Sequence, residues 1–165
     1  MRLRILNLKD APLMLEWMHD PLVVEYMQED FASKTIEDCE SFIQLSRESF
    51  RDLHMAIVDD NDEYMGTVSL KHMDGENAEF AITVRKEAMG KGIAKYGMEE
   101  IIKKGFDEFG LKQIFWCVNS ENKRALRFYD KNGYHRVNAS ILKVKNYSAK
   151  QIQCFIWYCI TKTER

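Results

Sequence analysis

The 165-residue sequence predicts an α/β fold with a central mixed, mostly antiparallel sheet of about six to seven strands and helices on both faces. Strand and helix patterns alternate only in the middle of the chain, whereas hairpins flank that region on both sides. The composition is 45% hydrophobic, and no Pro- or Ser-rich linker or repeat interrupts it. We therefore expect one domain spanning residues 1–165.

The N-terminal third begins with one strand and continues into helices. The strand is predicted at 3–7, and the helices at about 10–19, 21–27 and 35–50. Asp20 is a favourable N-cap and Pro21 suits the first helical position, so the second helix begins there. Thr35 and Asp38 have capping-box spacing, which predicts the start of the third helix.

The rest of the chain alternates strands with two long helices. Strands are predicted at about 53–58, 64–72, 78–84, 112–118, 134–145 and 150–161, and helices at 92–109 and 120–131. Gly110 is expected to end the first of these helices, because glycine favours the left-handed conformation at a helix C-terminus. Ser120 is the predicted N-cap of the second.

A glycine-containing turn between a strand and a helix predicts a binding site for an anion. Phe80, Ile82 and Val84 alternate as a half-buried strand does, and Gly90 and Gly92 then allow close approach of a ligand to the backbone. The free N–H groups and the dipole at the helix start favour phosphate or pyrophosphate. From this segment alone, a tight strand-to-helix connection is an equally good interpretation.

A second segment follows at the distance that one helix and one strand would occupy. It contains the pattern Asn-x-x-Ala-x-x-x-Tyr-x-x-x-Gly-aromatic, formed by Asn122, Ala125, Tyr129, Gly133 and Tyr134. Together with Gly92 and Ala94 of the preceding motif, this pattern resembles the GNAT N-acetyltransferase superfamily. Residues 8–27 and 33–43 are similar to its Rim-type (RimJ/RimL-like) branch.

The resemblance implies the GNAT fold and an acetyl-CoA-dependent N-acetyltransferase that moves acetyl directly from the thioester to a primary amine. The implied acceptor is a small amine such as an amino sugar, a polyamine or an antibiotic, and a protein N-terminus is the alternative. A non-catalytic acyl-CoA-binding regulatory module is an alternative from another class, because Met89 stands where the motif has Gln or Arg. No metal is expected.

The resemblance also implies roles for individual residues. Tyr129 would protonate or hydrogen-bond the departing CoA sulfur, and Glu79 would assist deprotonation of the amine, directly or through water. Cofactor binding would fall to Ile82, Val84, Met89, Gly90, Lys91, Gly92, Ile93, Ala94 and Asn122. Alternatively, Tyr129 is a core aromatic, Glu79 an exposed charge at a strand end, and Asn122 the cap of its own helix.

Pairing of the cofactor with the backbone would depend on a local opening of the sheet. Ile82 and Val84 would bond the pantetheine amides as an added strand does. Trp17, Tyr26, Phe31 and Phe42 lie in the N-terminal helices, where related enzymes build the acceptor site. The acidic residues Glu25, Glu29 and Asp30 would suit a cationic amine.

Composition narrows the partners further. The net charge of -2 with mixed signs argues against nucleic acid, for which a basic face would be expected. No 18-residue apolar run or signal-like start is present, so we expect no membrane partner and a cytoplasmic monomer or homodimer. The four cysteines lack CxxC spacing, which favours neither zinc nor disulfides. Among four histidines without a motif partner, His72 is the first to reconsider as a base.

Overall fold

Seven strands form one sheet in the order β1-β2-β3-β4-β5-β7-β6 in this computed structural model, which describes residues 1–165. The strands are β1 (Arg2–Ile5), β2 (Leu53–Val58), β3 (Tyr64–Lys71), β4 (Asn77–Val84), β5 (Gln113–Asn119), β6 (His135–Val137) and β7 (Phe155–Thr161). All neighbouring pairs are antiparallel except β4 and β5, which are parallel. The predicted fold class is confirmed.

Helices cover both faces of the sheet, as predicted. They are α1 (Ala11–Met18), α2 (Pro21–Val24), α3 (Ile36–Ser46), α4 (Ile93–Asp107), α5 (Lys123–Lys131) and α6 (Ala149–Cys154). Because strand side chains alternate between faces, Ile57 joins the apolar cluster under α4 and α5, whereas Ala56 and Val58 join the cluster under α1 and α3. None of the helices is long and apolar enough to cross a membrane.

Local capping chemistry starts most of the helices where expected. Thr35 Oγ1 accepts from the Asp38 N–H at 3.3 Å, and the Asp38 carboxylate accepts from the Thr35 N–H at 2.8 Å. Helix α3 ends at Ser46, a few residues before the predicted end. Helix α5 begins at Lys123 and is capped by Asn122, so the predicted cap at Ser120 is wrong.

The reason for the later start of α5 is a turn around Asn119. Its side chain accepts from the Glu121 N–H at 2.9 Å, and its carbonyl accepts from the Asn122 N–H at 2.9 Å. These bonds hold the chain outside helical geometry until Lys123.

The two C-terminal strands are shorter than predicted. The strand predicted at 134–145 is only β6, because the Asn138 side chain accepts from the Ser140 N–H at 2.9 Å and turns the chain into a single 3₁₀ turn. The first part of the strand predicted at 150–161 is helix α6. A capping box between Ser148 and Gln151 starts that helix, so β7 begins only at Phe155.

One irregularity of the sheet positions the site. Strands β4 and β5 pair only at their beginnings, and Glu79 opposite Phe115 is the last pair. Both strands continue beyond it, β4 to Val84 and β5 to Asn119, without pairing with each other. We call the unpaired gap between residues 80–84 and 116–119 the wedge.

Candidate active site

The edge of β4 that faces the wedge carries backbone groups available to a ligand. At the base of the strand, the Gln113 N–H donates to the Glu76 carbonyl at 3.1 Å, and at its end the Arg85 N–H donates to a β3 carbonyl at 2.9 Å. Backbone groups of successive strand residues point alternately to the two neighbouring strands. Ile82 and Val84 lie an even number of residues after Glu76, so their N–H and C=O groups point to the same side of the strand as those of Glu76. That side faces the wedge, where an extended ligand can pair with them.

The turn before α4 presents a run of free backbone donors. Gly90 and Gly92 have φ values of 75° and 76°, in the left-handed region that favours glycine. The N–H groups of residues 90–95 donate to no acceptor within the protein. The first turn of α4 contains no acidic residue. We call residues 90–95 the cradle, and its donors and helix dipole fit the pyrophosphate of acetyl-CoA.

Side chains around the cradle hold it in place without filling it. Ile93 is buried in the core and Ala94 is half-buried, whereas Lys91 is exposed to solvent. A Cβ atom added at Gly90 or Gly92 would meet no atom within 4 Å. The space above the glycines is therefore open to a ligand.

A guanidinium from α5 lies beside the position where the motif lacks its polar residue. Met89 packs against the cluster under α1 and α3, and its Sδ is 3.1 Å from Nη1 of Arg124. Arg124 is exposed and therefore able to face an anion. The sequence motif did not reveal Arg124, because the two residues are 35 positions apart.

Asn122 caps its own helix, the alternative weighed from the sequence. Its Oδ1 accepts from the Ala125 N–H at 3.2 Å, which satisfies one free donor of α5. The Nδ2 group of the side chain makes no hydrogen bond within the protein and so remains available to a ligand.

Tyr129 lies in an aromatic cluster at the narrow end of the wedge. Its ring centroid is 5.3 Å from that of Trp116, the first β5 residue beyond the last pair, and 5.2 Å from that of Tyr158. The side chain is 7% exposed, and its hydroxyl forms no hydrogen bond within the protein. Burial raises the pKa of Tyr129 above its usual value, so the phenol remains a proton donor at neutral pH.

Glu79 is buried, which makes the alternative of an exposed strand-end charge wrong. It is 4% exposed and lies on the opposite face of β4 from Phe80. The hydroxyl of Tyr147 donates a hydrogen bond to its Oε1. Lys71 Nζ is 3.8 Å from Oε1, and His72 Nε2 is 3.9 Å from Oε2.

The backbone conformation of His72 explains why its imidazole lies close to Glu79. His72 directly follows β3 and has a φ of 54°, a conformation that side chains other than glycine rarely adopt. Its N–H donates to Asp52 Oδ1 at 2.8 Å, which stabilises the turn. The imidazole is thereby placed beside Glu79.

Tyr147 is a site residue that the sequence did not indicate. It lies between β6 and α6 in a segment without a motif. Its contact with Glu79 of β4 joins residues 68 positions apart and is visible only in the folded chain. The Cys117 thiol donates to the Tyr147 oxygen at 3.6 Å. Burial raises the pKa of Cys117 to about 11, so this thiol stays protonated.

A cavity of about 240 Å³ lies between α1, α3 and the sheet. Trp17, Phe31 and Phe42 contribute aromatic walls, whereas Tyr26 does not line it. The charged side chains of the lining are Glu29, Lys34, Asp38 and Lys71. Its floor includes residues 81–83 of β4, so the cavity adjoins the wedge.

A histidine in this cavity is neutral. His54 Nδ1 is 2.7 Å from Ser69 Oγ, and its ring packs edge-on against Phe42 at 4.8 Å. Burial lowers the pKa of His54, so it adds no positive charge at neutral pH. No group of three or more His, Cys, Asp or Glu side chains is arranged to hold a metal ion.

Comparisons with known proteins agree with this geometry. Residues 1–135 match the model of the acetyltransferase (GNAT) domain. The uncharacterized N-acetyltransferase p20 of Bacillus licheniformis is 27% identical over 139 residues, which cover 81% of this chain and 78% of that protein. The spermidine N(1)-acetyltransferase of Escherichia coli K12 is 29% identical over 105 residues, 59% of this chain and 56% of that protein.

Solved structures share the fold across the whole chain. The spermidine N-acetyltransferase of Vibrio cholerae in complex with CoA and spermine superposes with a TM-score of 0.81 at 19% identity, covering 99% of this chain and 96% of that one. The family match, the wedge and the cradle together establish the class of reaction. The chain belongs to the acetyltransferase (GNAT) domain family and is an N-acetyltransferase that uses acetyl-CoA.

Proposed function

We propose that the enzyme acetylates a small cationic amine, bound in the cavity between α1, α3 and the sheet. The observation that carries this proposal is the position of the cavity, whose floor at residues 81–83 is the part of β4 that borders the wedge. An amine in the cavity would meet a thioester paired with β4. The Rim-type placement within the family stays a prediction.

The charge of the cavity favours a cation. Glu29 and Asp38 line it and Glu79 lies beside it, against the two ammonium groups of Lys34 and Lys71. Lys34 is paired with Glu29 at 3.2 Å, and His54 is neutral. The four charged side chains of the lining therefore cancel, and the Glu79 carboxylate beside the cavity is the one negative charge left over.

The aromatic walls favour the same ligand. The rings of Trp17 and Phe31 meet edge to face at 5.1 Å, and such faces attract ammonium groups. The Escherichia coli and Vibrio cholerae relatives are named as spermidine acetyltransferases, and the latter was solved with spermine. A polyamine is therefore the first acceptor to test.

Glu79 would act on the amine through water. A free alkyl ammonium has a pKa near 10.4, so only about one in a thousand molecules is nucleophilic near pH 7. Glu79 does not line the cavity, but Ala81, two residues further on the same face of β4, does. Since one strand repeat separates them, about 7 Å, a water molecule would relay the proton.

Tyr129 would stabilise the leaving thiolate by donating a hydrogen bond. An ordinary thiol has a pKa near 8.5, whereas burial raises the pKa of Tyr129 above its usual value of 10. Complete proton transfer to the sulfur is therefore unfavourable by at least about 2 kcal/mol. The hydroxyl has no partner within the protein and is free to donate to the developing charge.

Thiol release from acetyl-CoA, measured with a panel of acceptors beside a CoA-binding titration, tests the proposal. The panel contains polyamines, amino sugars, aminoglycosides and N-terminal peptides. We expect release with a cationic small amine. Release with peptides alone would identify a protein N-terminus as the acceptor in place of a small amine. CoA binding without thiol release with any acceptor would contradict the proposal.

A further inference from the structure

The segment between β6 and β7 reaches back across the sheet to the buried carboxylate of β4. Tyr147 of this segment lies outside residues 1–135, the part that matches the family model. Its hydroxyl donates to Glu79, which is 68 positions earlier in the chain. The segment thus contributes directly to the surroundings of the proposed base.

The ring of Tyr147 is held so that its hydroxyl points at Glu79. It packs edge-on against Trp157, with ring centroids 5.3 Å apart and an interplanar angle of 80°. It makes a similar contact with Phe155 at 6.1 Å. The Cys117 thiol donates to the tyrosine oxygen, which directs the tyrosine proton toward the carboxylate.

The hydrogen bond determines which groups the two carboxylate oxygens meet. The titratable groups around Glu79 are Lys71 and His72 at the end of β3, Cys117 on β5 and Tyr147. The Tyr147 hydroxyl donates to Oε1 of Glu79, and Lys71 Nζ is 3.8 Å from that same oxygen. Without the hydroxyl, Glu79 is free to rotate into a closer ion pair with Lys71, which would turn its carboxylate away from the orientation that Tyr147 holds.

We propose that Tyr147 is a positioning residue that holds Glu79 in the orientation in which it accepts the proton from the acceptor amine. This inference rests on the proposed role of Glu79. It makes amine deprotonation dependent on the segment between β6 and β7, although that segment contributes no group to the cavity.

The test compares Tyr147→Phe, Glu79→Gln and the double variant over a range of pH. Tyr147→Phe keeps the ring that packs on Trp157 and removes only the donor. We expect kcat/KM for the amine to fall about tenfold at pH 7, with the KM for acetyl-CoA unchanged. The deficit should shrink toward pH 10, because the free amine then needs no base.

The double variant separates positioning from a structural effect. If Tyr147 acts through Glu79, the double variant is no slower than Glu79→Gln alone. Tyr96→Phe, a half-buried tyrosine on α4 with no side-chain hydrogen bond, is the matched control and should retain activity.

Each other outcome overturns a defined part of the reasoning. Loss of activity in Glu79→Gln with a normal Tyr147→Phe would refute positioning and leave the base intact. A normal Glu79→Gln would refute the base and the inference with it. A Tyr147→Phe deficit that is the same at every pH, or that multiplies that of Glu79→Gln, would show that Tyr147 acts elsewhere.

Discussion

Replacing Tyr129 by Phe removes one hydroxyl and leaves an aromatic ring in the same place. The ring keeps its contacts with Trp116 and Tyr158. The hydroxyl bonds no protein group, so its removal deprives no buried polar atom of a partner. We therefore expect the free energy of unfolding to change by less than about 1 kcal/mol.

The effect on the rate follows from the charge that the hydroxyl meets. A hydrogen bond to an ionised group contributes about 1.5–3 kcal/mol, and the sulfur carries its charge mainly in the transition state. The expected loss in kcat is about 10- to 150-fold. Because burial raises the pKa of Tyr129 above 10, the donor form persists up to that pH, and ionisation of this group should not lower the wild-type rate between pH 7 and 10.

The assay is thiol release at saturating acetyl-CoA, with CoA affinity and thermal unfolding measured beside it. Tyr134→Phe is the matched control, because that ring also packs on Trp116, at 5.2 Å, and its hydroxyl makes no hydrogen bond within the protein. A kcat for Tyr129→Phe within twofold of the wild type, with CoA affinity unchanged, would refute the role as donor. A large drop in thermal stability would show that the residue acts in packing.

Three further substitutions test the cofactor and acceptor sites. Arg124→Ala should raise the KM for acetyl-CoA severalfold, and this effect should fade at 1 M salt because exposed charges are screened. The control Lys131→Ala, at the other end of α5, should leave the KM for acetyl-CoA unchanged at low and at high salt. Gly92→Ala should lower Tm by about 2–8 °C in a melting experiment and weaken CoA binding in a titration, because a side chain at a φ of 76° costs about 1–2 kcal/mol. Glu29→Gln should raise the KM for a polyamine in steady-state assays and leave that for acetyl-CoA unchanged.

The features that the sequence predicted well depend on neighbouring residues. The capping box of Thr35 and Asp38 and the glycine-containing turn that opens α4 follow from the chemistry of residues within a few positions. The C-terminal strands were predicted too long for a related reason. Caps such as Ser148 act over three residues, and they outweighed the apolar pattern that suggested a continuous strand.

The features that the sequence did not predict depend on residues brought together by the sheet. Buried Glu79 accepts a hydrogen bond from Tyr147, and the guanidinium beside Met89 comes from Arg124. Neither pair lies within a local motif, because the members of the two pairs are 68 and 35 positions apart in the chain. Their detection requires the fold itself.

The wedge connects two groups that lie on opposite faces of the sheet. Tyr129 belongs to the face under α4 and α5, and Glu79 belongs to the face that carries the proposed acceptor cavity. Pairing of β4 with β5 beyond Glu79 would seal one face from the other. An amine entering from one side could then not reach a thioester whose sulfur contacts Tyr129.

Contacts with different neighbours hold β4 and β5 apart at the open end of the wedge. The guanidinium of Arg85, directly after β4, donates to Glu16 of α1 and to Glu63 before β3, each at 2.9 Å. Strand β5 instead remains paired with β7 as far as Asn119 opposite Phe155. Each strand is thus paired with its outer neighbour, and the inner edges of the wedge leave backbone groups unpaired. The buried Arg85 therefore links α1, which walls the proposed acceptor cavity, to the end of β4, which borders the wedge.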